Sequence, residues 1–189
     1  MREDLIGKRI REYRLNKGLT IKNLAESTGL TKGYISRIEN SPKAPPLFTL
    51  AKISSALSVD ISELLSDGKT APNPSPEMTI SRNDEHFITD GRGTPYKYVY
   101  EALAPNKLGK NFEPYLLTVS HERRTDYQHE GEEFVYVLEG KLEFVFKGQS
   151  YVLEKGDCVY FDSAFPHGGR ALGDAPAKTM VIIYSYKRV

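Results

Sequence analysis

A change of hydrophobic pattern across a proline-punctuated break constrains this chain more than any other feature. Up to residue 65 apolar side chains recur at helical spacing, and from residue 96 onward β-branched and aromatic runs take over. Between them lies SDGKTAPNPSP, in which Pro72, Pro74 and Pro76 alternate with small polar residues, so no apolar period survives and the stretch reads as a semi-extended, solvated linker. One layer cannot absorb both patterns. The chain is therefore expected to divide into a helical module at residues 1–66, a linker at 67–77 and a β-rich module at 78–189.

Charge follows the same division. Residues 1–66 carry 11 Lys and Arg against 7 Asp and Glu, whereas residues 67–189 carry 15 against 18, beneath a net charge of only +1. A basic first third suits a module that faces nucleic acid. No run of about 18 uncharged apolar residues occurs, and the opening MREDLIGKRI alternates charge with aliphatics where a signal peptide would be apolar. The expectation is a cytoplasmic protein with no membrane partner. One cysteine, Cys158, excludes an internal disulfide and a cysteine-rich zinc cluster; within DCVYFD it reads as a small buried hydrophobe.

In the first module a helix is expected over Glu3–Lys17, with Leu5, Ile6, Ile10, Tyr13 and Leu15 as its apolar stripe and Gly18 as its stop. Thr20 caps a second helix that carries Leu24 and Ala25 inward and ends at Gly29. Thr31 caps a third, KGYISRIEN, whose Ile35 and Ile38 face the core with Leu30. Helical geometry then gathers Lys32, Gly33, Ser36, Arg37 and Asn40 on the opposite face.

The segment LTIKNLAESTGLTKGYISRIEN resembles the helix-turn-helix of the lambda repressor and Cro type, and the resemblance continues through LFTLAKISSALSVDISELL, about residues 5–65 in all. Leu24-Ala25, Gly29, Thr31, Tyr34-Ile35-Ser36 and Ile38-Glu39-Asn40 carry it. It implies an all-α bundle of the lambda-repressor kind and a double-stranded DNA operator as partner. The third helix would enter the major groove with its first turns forward, presenting Thr31, Lys32, Gly33 and Tyr34. Lys32 and Arg37 would reach guanine edges or phosphates, and Ser36 and Asn40 would contact adenine or backbone. Two positions depart from the pattern. Ile21 stands where the family often has a phosphate-anchoring glutamine, with Lys22 as its substitute, and Asn40-Ser41 replaces the usual Asn-Gly.

In the second module turn signals at Glu139-Gly140, Lys147-Gly148 and Lys155-Gly156 recur every eight residues, which suits a sandwich or barrel of antiparallel strands. At its start, YQHEGEEFVYVLEG poses a problem of distance. On one straight strand His129 and Glu133 would share a face about 13 Å apart. A turn at Gly131 would bring them together. SAFPHGGR offers a third group, His167, just after the corner set by Pro166. Two imidazoles and one carboxylate facing a cavity form an open triad suited to Fe(II) and compatible with Mn, Ni, Co or Zn. Glu130 and Glu132 are assigned to solvent, and His86 and His121 lack partners at ligand spacing.

This spacing resembles the cupin fold, an all-β double-stranded barrel, over about residues 95–189. The first cupin motif falls on His129, Glu133 and Gly140, and the second on Gly156, Pro166 and His167. The resemblance implies metal ligation by His129, Glu133 and His167. Tyr127 occupies the place of a further histidine and is expected to point into the same lumen.

A helix-turn-helix followed by a cupin looks like a class of bacterial transcription regulators in which the barrel senses a small-molecule effector or a divalent metal and the protein acts as a homodimer or higher oligomer. The same order is similar to hydroxypropylphosphonate epoxidase, a mononuclear iron enzyme, which implies an Fe(II) cupin oxygenase as the alternative. That likeness adds Tyr98 and Tyr100 of YVYEAL and Arg92 as pocket residues. Against it, the lysine that contacts the phosphonate falls near Gly18, and an asparagine beside the first histidine becomes Asp126. A carboxylate there disfavours an anionic substrate. With Tyr115 and Tyr127, these side chains suggest an aromatic, hydrogen-bonding pocket. The overall expectation is a two-domain α+β regulator, its recognition helix exposed and its barrel receiving the chemical input.

Overall fold

The computed structural model describes residues 3–59, 61–65, 77–88, 99–105, 107, 110–122 and 126–184, with only the backbone of Phe48, Ser62, Glu85 and Phe87. The expected linker, apart from Glu77, lies outside them. The chain forms two compact units, the first centred on Met1–Phe87 and the second on Ile88–Leu103 and Asn111–Tyr186. Among the described residues no helix is long and apolar enough to cross a membrane.

The first unit is helical. A 3-10 turn at Glu3–Leu5 leads into α1 (Ile6–Asn16), followed by α2 (Ile21–Thr28), α3 (Lys32–Asn40), α4 (Leu47–Ala56) and α5 (Ile61–Leu65). The short helices start where the sequence supplies caps. Thr20 Oγ1 accepts from the Asn23 amide while Asn23 Oδ1 accepts from the Thr20 amide, and Thr31 Oγ1 accepts from the Tyr34 amide. Ile6, Ile10, Leu24, Ile35, Leu50 and Ile53 are fully buried at the centre, each contributing about 1.5–3 kcal/mol of transfer free energy. α1 crosses α3 closely at Gly7, where a Cβ would lie 2.3 Å from the Ile38 carbonyl oxygen.

The stripe on α1 differs from expectation at its last turn. Leu15 is 55% exposed and its neighbour Arg14 is buried instead. The cause is Glu39 on α3, whose carboxylate accepts from Arg14 Nε and Nη2 while Nη1 donates to the Leu19 carbonyl. The hydrogen bond to Glu39 pushes the Arg14 pKa up, against the opposing effect of burial. Three directed hydrogen bonds make the inward turn of a cation tolerable.

The second unit is antiparallel β. Its strands are β1 (Phe87–Ile88), β2 (Val99–Ala102), β3 (Phe112–Val119), β4 (Glu132–Glu139), β5 (Lys141–Phe146), β6 (Gln149–Glu154), β7 (Cys158–Asp162), β8 (His167–Leu172) and β9 (Ala177–Tyr184). They form a six-stranded sheet in the order β1-β2-β3-β9-β4-β7 and a three-stranded sheet in the order β6-β5-β8. Register fixes what faces inward. Tyr115 lies opposite Val181, and Val181 opposite Val135, while Glu133 lies opposite both Ile183 and Phe161. Since partners in register share a face, Tyr115, Val181, Val135 and Glu133 line the same inner surface. Across from it, Phe144 of the small sheet meets Phe161 of the large one with ring centroids 5.0 Å apart. The turn between β4 and β5 needs Gly140, with φ +79° and a Cβ position 3.2 Å from Ala177 Cα.

Cys158 corrects another expectation, since it is exposed. The opposite parity of β7 points Phe161 inward and Cys158, Tyr160 and Asp162 out.

Candidate functional site

The third helix presents the face expected of it. Thr31, Lys32, Gly33, Arg37 and Asn40 are exposed, and Tyr34 and Ser36 are half-buried. The Arg37 guanidinium lies 5.7 Å from the Tyr34 ring centroid, a cation–π contact that orients it along the helix. Asn40 Nδ2 donates to the Ser36 carbonyl at 2.8 Å, so this side chain folds back on its own helix. Lys22 is exposed on α2 and pairs with Glu26 at 3.7 Å, a surface contact of little strength. One side of α3 thus carries two exposed cations and small groups, while Ile35 and Ile38 anchor the other side.

In the β unit the triad closes. Nitrogen or oxygen atoms of His129, Glu133 and His167 all lie within 4.8 Å of one another, and the three residues are 7%, 2% and 3% exposed. Nε2 of His129 is 2.5 Å and Nε2 of His167 is 3.4 Å from Glu133 Oε1. Gly131 does contribute, with φ +118°, but the chain does not double back there. Tyr127 bridges His167, the Ser163 amide donates to the Gly131 carbonyl, and Glu132 pairs with Asp162. Residues 127–132 therefore keep one direction, antiparallel to residues 167–162, and kink at Gly131.

The far nitrogen of each ring fixes its orientation. His167 Nδ1 lies 2.8 Å from the Phe165 carbonyl and His129 Nδ1 lies 3.3 Å from the Glu130 carbonyl. A carbonyl only accepts, so each Nδ1 is the proton donor and each Nε2 points at Glu133. Burial pushes the Glu133 carboxyl up, yet hydrogen bonds and charge from His129 and His167 outweigh it and hold the group below the ordinary carboxylate range. Two imidazole nitrogens and a carboxylate oxygen converging among three buried residues call for a positive charge among them. This donor set fits a divalent metal of the Fe, Mn, Ni, Co or Zn kind.

Around the triad, the Phe161 ring packs on His167 at 4.9 Å and the Tyr127 ring lies 6.4 Å from it. On the inner face of the six-stranded sheet, Tyr100 and Tyr115 are fully buried and meet edge to face at 6.0 Å. Arg92 and Tyr98 lie outside the described residues. Glu130 is exposed and Glu132 bonds the Tyr160 hydroxyl on the outer face, while His121 is exposed and His86 half-buried. Sequence reasoning missed Ser163, which is 0% exposed beside His129; its only signal was a parity shared with Phe161.

Comparison with known proteins agrees with both units. A helix-turn-helix family model matches residues 10–64 and a cupin domain model matches residues 117–183. The HTH-type transcriptional regulator PuuR of Escherichia coli (strain K12) is 31% identical over 162 residues, 85% of this chain and 84% of that protein. The HTH-type transcriptional regulator SutR of the same strain is 24% identical over 158 residues, 84% of this chain and 82% of that protein. The crystal structure of an HTH_3 family transcriptional regulator from Vibrio cholerae superposes with a TM-score of 0.68, 22% identity and 96% coverage of each chain.

Proposed function

This chain belongs to the HTH-type transcriptional regulators that join a helix-turn-helix to a cupin domain, and from that premise we propose that it binds operator DNA through α3 under the control of a ligand held in the barrel. The exposed Lys32 and Arg37 on a capped helix whose far side is anchored in the core carry this reading. In the major groove Arg37 and Lys32 would read guanine edges or neutralise phosphates, with Thr31, Gly33, Tyr34, Ser36 and Asn40 lining the contact and Lys22 on the adjacent backbone.

The input is a divalent metal, with or without a small-molecule effector. His129, Glu133 and His167 would hold the metal, which supplies a Lewis-acidic centre with open positions for an oxygen or nitrogen donor. Phe161 and Tyr127 exclude water around it, and Tyr100 and Tyr115 shape the inner pocket. Ligand affects operator affinity only as far as it binds the two DNA affinity states differently, typically a 5–150-fold effect.

Reading a two-fold operator requires two recognition helices about 34 Å apart, so the chain works as a homodimer. The outer face of the six-stranded sheet is suited to the contact. Phe112, Tyr136, Tyr160 and Tyr184 there are 51%, 37%, 64% and 39% exposed, and the half-buried Met180, Ile182 and Phe134 lie between them in register. A continuous apolar patch on a self-complementary sheet face favours an isologous pair.

Selection of bound duplexes from a random pool, followed by anisotropy at about 0.15 M salt, tests the reading. A palindromic consensus bound at least 10³-fold above random DNA is expected. Binding that stays at the non-specific level for every duplex contradicts it, and oxygen consumption by the Fe(II)-loaded protein would then favour an oxygenase.

A further inference from the structure

Ser163 holds a buried hydroxyl at the triad that no described residue satisfies. The residue is 0% exposed and its Oγ meets no hydrogen-bond partner. Its backbone is fully engaged on both sides, the amide donating to the Gly131 carbonyl at 3.0 Å and the carbonyl accepting from the His129 amide at 2.9 Å. It is therefore locked against one ligand, His129, and against Gly131 on the way to the next, Glu133. Two residues earlier, Phe161 faces inward opposite Glu133, and Ser163 shares its parity and its burial.

A buried hydroxyl without a partner bears its whole desolvation penalty, which alanine at the same place would avoid. Its partner is thus a group that enters the lumen. Charge indicates which. Two neutral imidazoles and one carboxylate around a divalent ion leave a net charge of +1, and three protein donors leave coordination positions open. An anionic oxygen donor satisfies the charge and the open positions, and can also accept from a hydroxyl fixed beside the metal.

We propose that Ser163 is a specificity-determining residue, its Oγ donating a hydrogen bond to a carboxylate oxygen of a small organic acid that ligates the metal held by His129, Glu133 and His167. This rests on the metal reading above and names the class of effector that the site takes. Tyr127, half-buried at the side of His167, closes the same space.

The experiment uses the full chain, Co²⁺ as the metal and oxalate as the probe, with binding followed by the visible absorption of cobalt. Wild type is expected to take up one Co²⁺ and to change its spectrum on oxalate addition. Ser163→Ala should keep its Co²⁺ affinity within about threefold and bind oxalate about tenfold more weakly, the loss of one hydrogen bond to a charged group. Without metal, Ser163→Ala should unfold at the same or a higher temperature than wild type, because it loses an unsatisfied polar group. Equal oxalate affinities in the two proteins would overturn the proposal, as would a marked drop in apo stability, which assigns the hydroxyl to structure. Wild type that binds Co²⁺ and ignores oxalate overturns the proposal alone. Wild type that binds no Co²⁺ overturns the metal reading with it.

Discussion

Arg14 and Glu39 meet as a buried two-pronged pair, Nε to Oε1 at 2.6 Å and Nη2 to Oε2 at 2.8 Å. The pair ties α1 to the end of α3, and the remaining Arg14 donor holds the turn before α2 at Leu19. Glu39→Ala leaves a cation buried without its partner. It should cost about 3–5 kcal/mol of stability in urea unfolding, and Arg14→Met with Glu39→Leu should recover a large part of that loss. A cost below about 1 kcal/mol, the range of exposed pairs, would contradict the role given to this contact.

Arg37 is exposed, so its removal should leave the fold alone. Arg37→Ala is expected to unfold at the wild-type temperature and to lose about 1–3 kcal/mol of operator binding, with relaxed preference at one base position. Lys22→Ala should weaken all duplexes alike and reduce the slope of log affinity against log salt by about one. Anisotropy titrations over a salt series check both.

Glu133→Gln and His167→Ala should each abolish uptake of one metal equivalent, measured by elemental analysis after dialysis without chelator. In wild type the affinity should rise with pH, because the ligands must give up protons to bind. Metal at 100 times its dissociation constant should stabilise the protein by about 2.7 kcal/mol, and a chelator should reverse the gain.

Charge placed on the outer sheet face should separate the proposed dimer. Tyr160→Arg and Met180→Asp lie on adjacent rows of that face, on the side of the sheet opposite the inward Val135 and Val181 side chains. Sedimentation is expected to show monomers with unchanged circular dichroism and weakened operator binding. Wild type that sediments as a monomer at micromolar concentration contradicts the assignment.

Local signals were the legible ones. Thr20 and Thr31 announce their helices because a cap acts within three residues, and Gly140 announces a turn because only glycine fits φ +79° there. His129, Glu133 and His167 could be grouped because the strands between them are short and regular. What depends on distant partners stayed hidden. Leu15 and Arg14 compete for one position, and Glu39, 25 residues on, decides it. Cys158 could not be placed because β7 is apolar on both faces, which removes the alternation that reveals parity. The kink at Gly131 differs from a hairpin only through pairing with residues 162–167, and Ser163 looks like turn filler until its burial is known.

Operator titrations of wild type, Arg37→Ala and Glu133→Gln, each with and without one metal equivalent, decide whether the barrel's metal controls DNA binding through α3. Metal is expected to shift wild-type affinity by at least fivefold, Glu133→Gln to bind DNA but ignore metal, and Arg37→Ala to bind the operator about 1–3 kcal/mol more weakly than wild type. A wild type that binds no duplex specifically, or an Arg37→Ala protein that binds as tightly as wild type, would contradict that control.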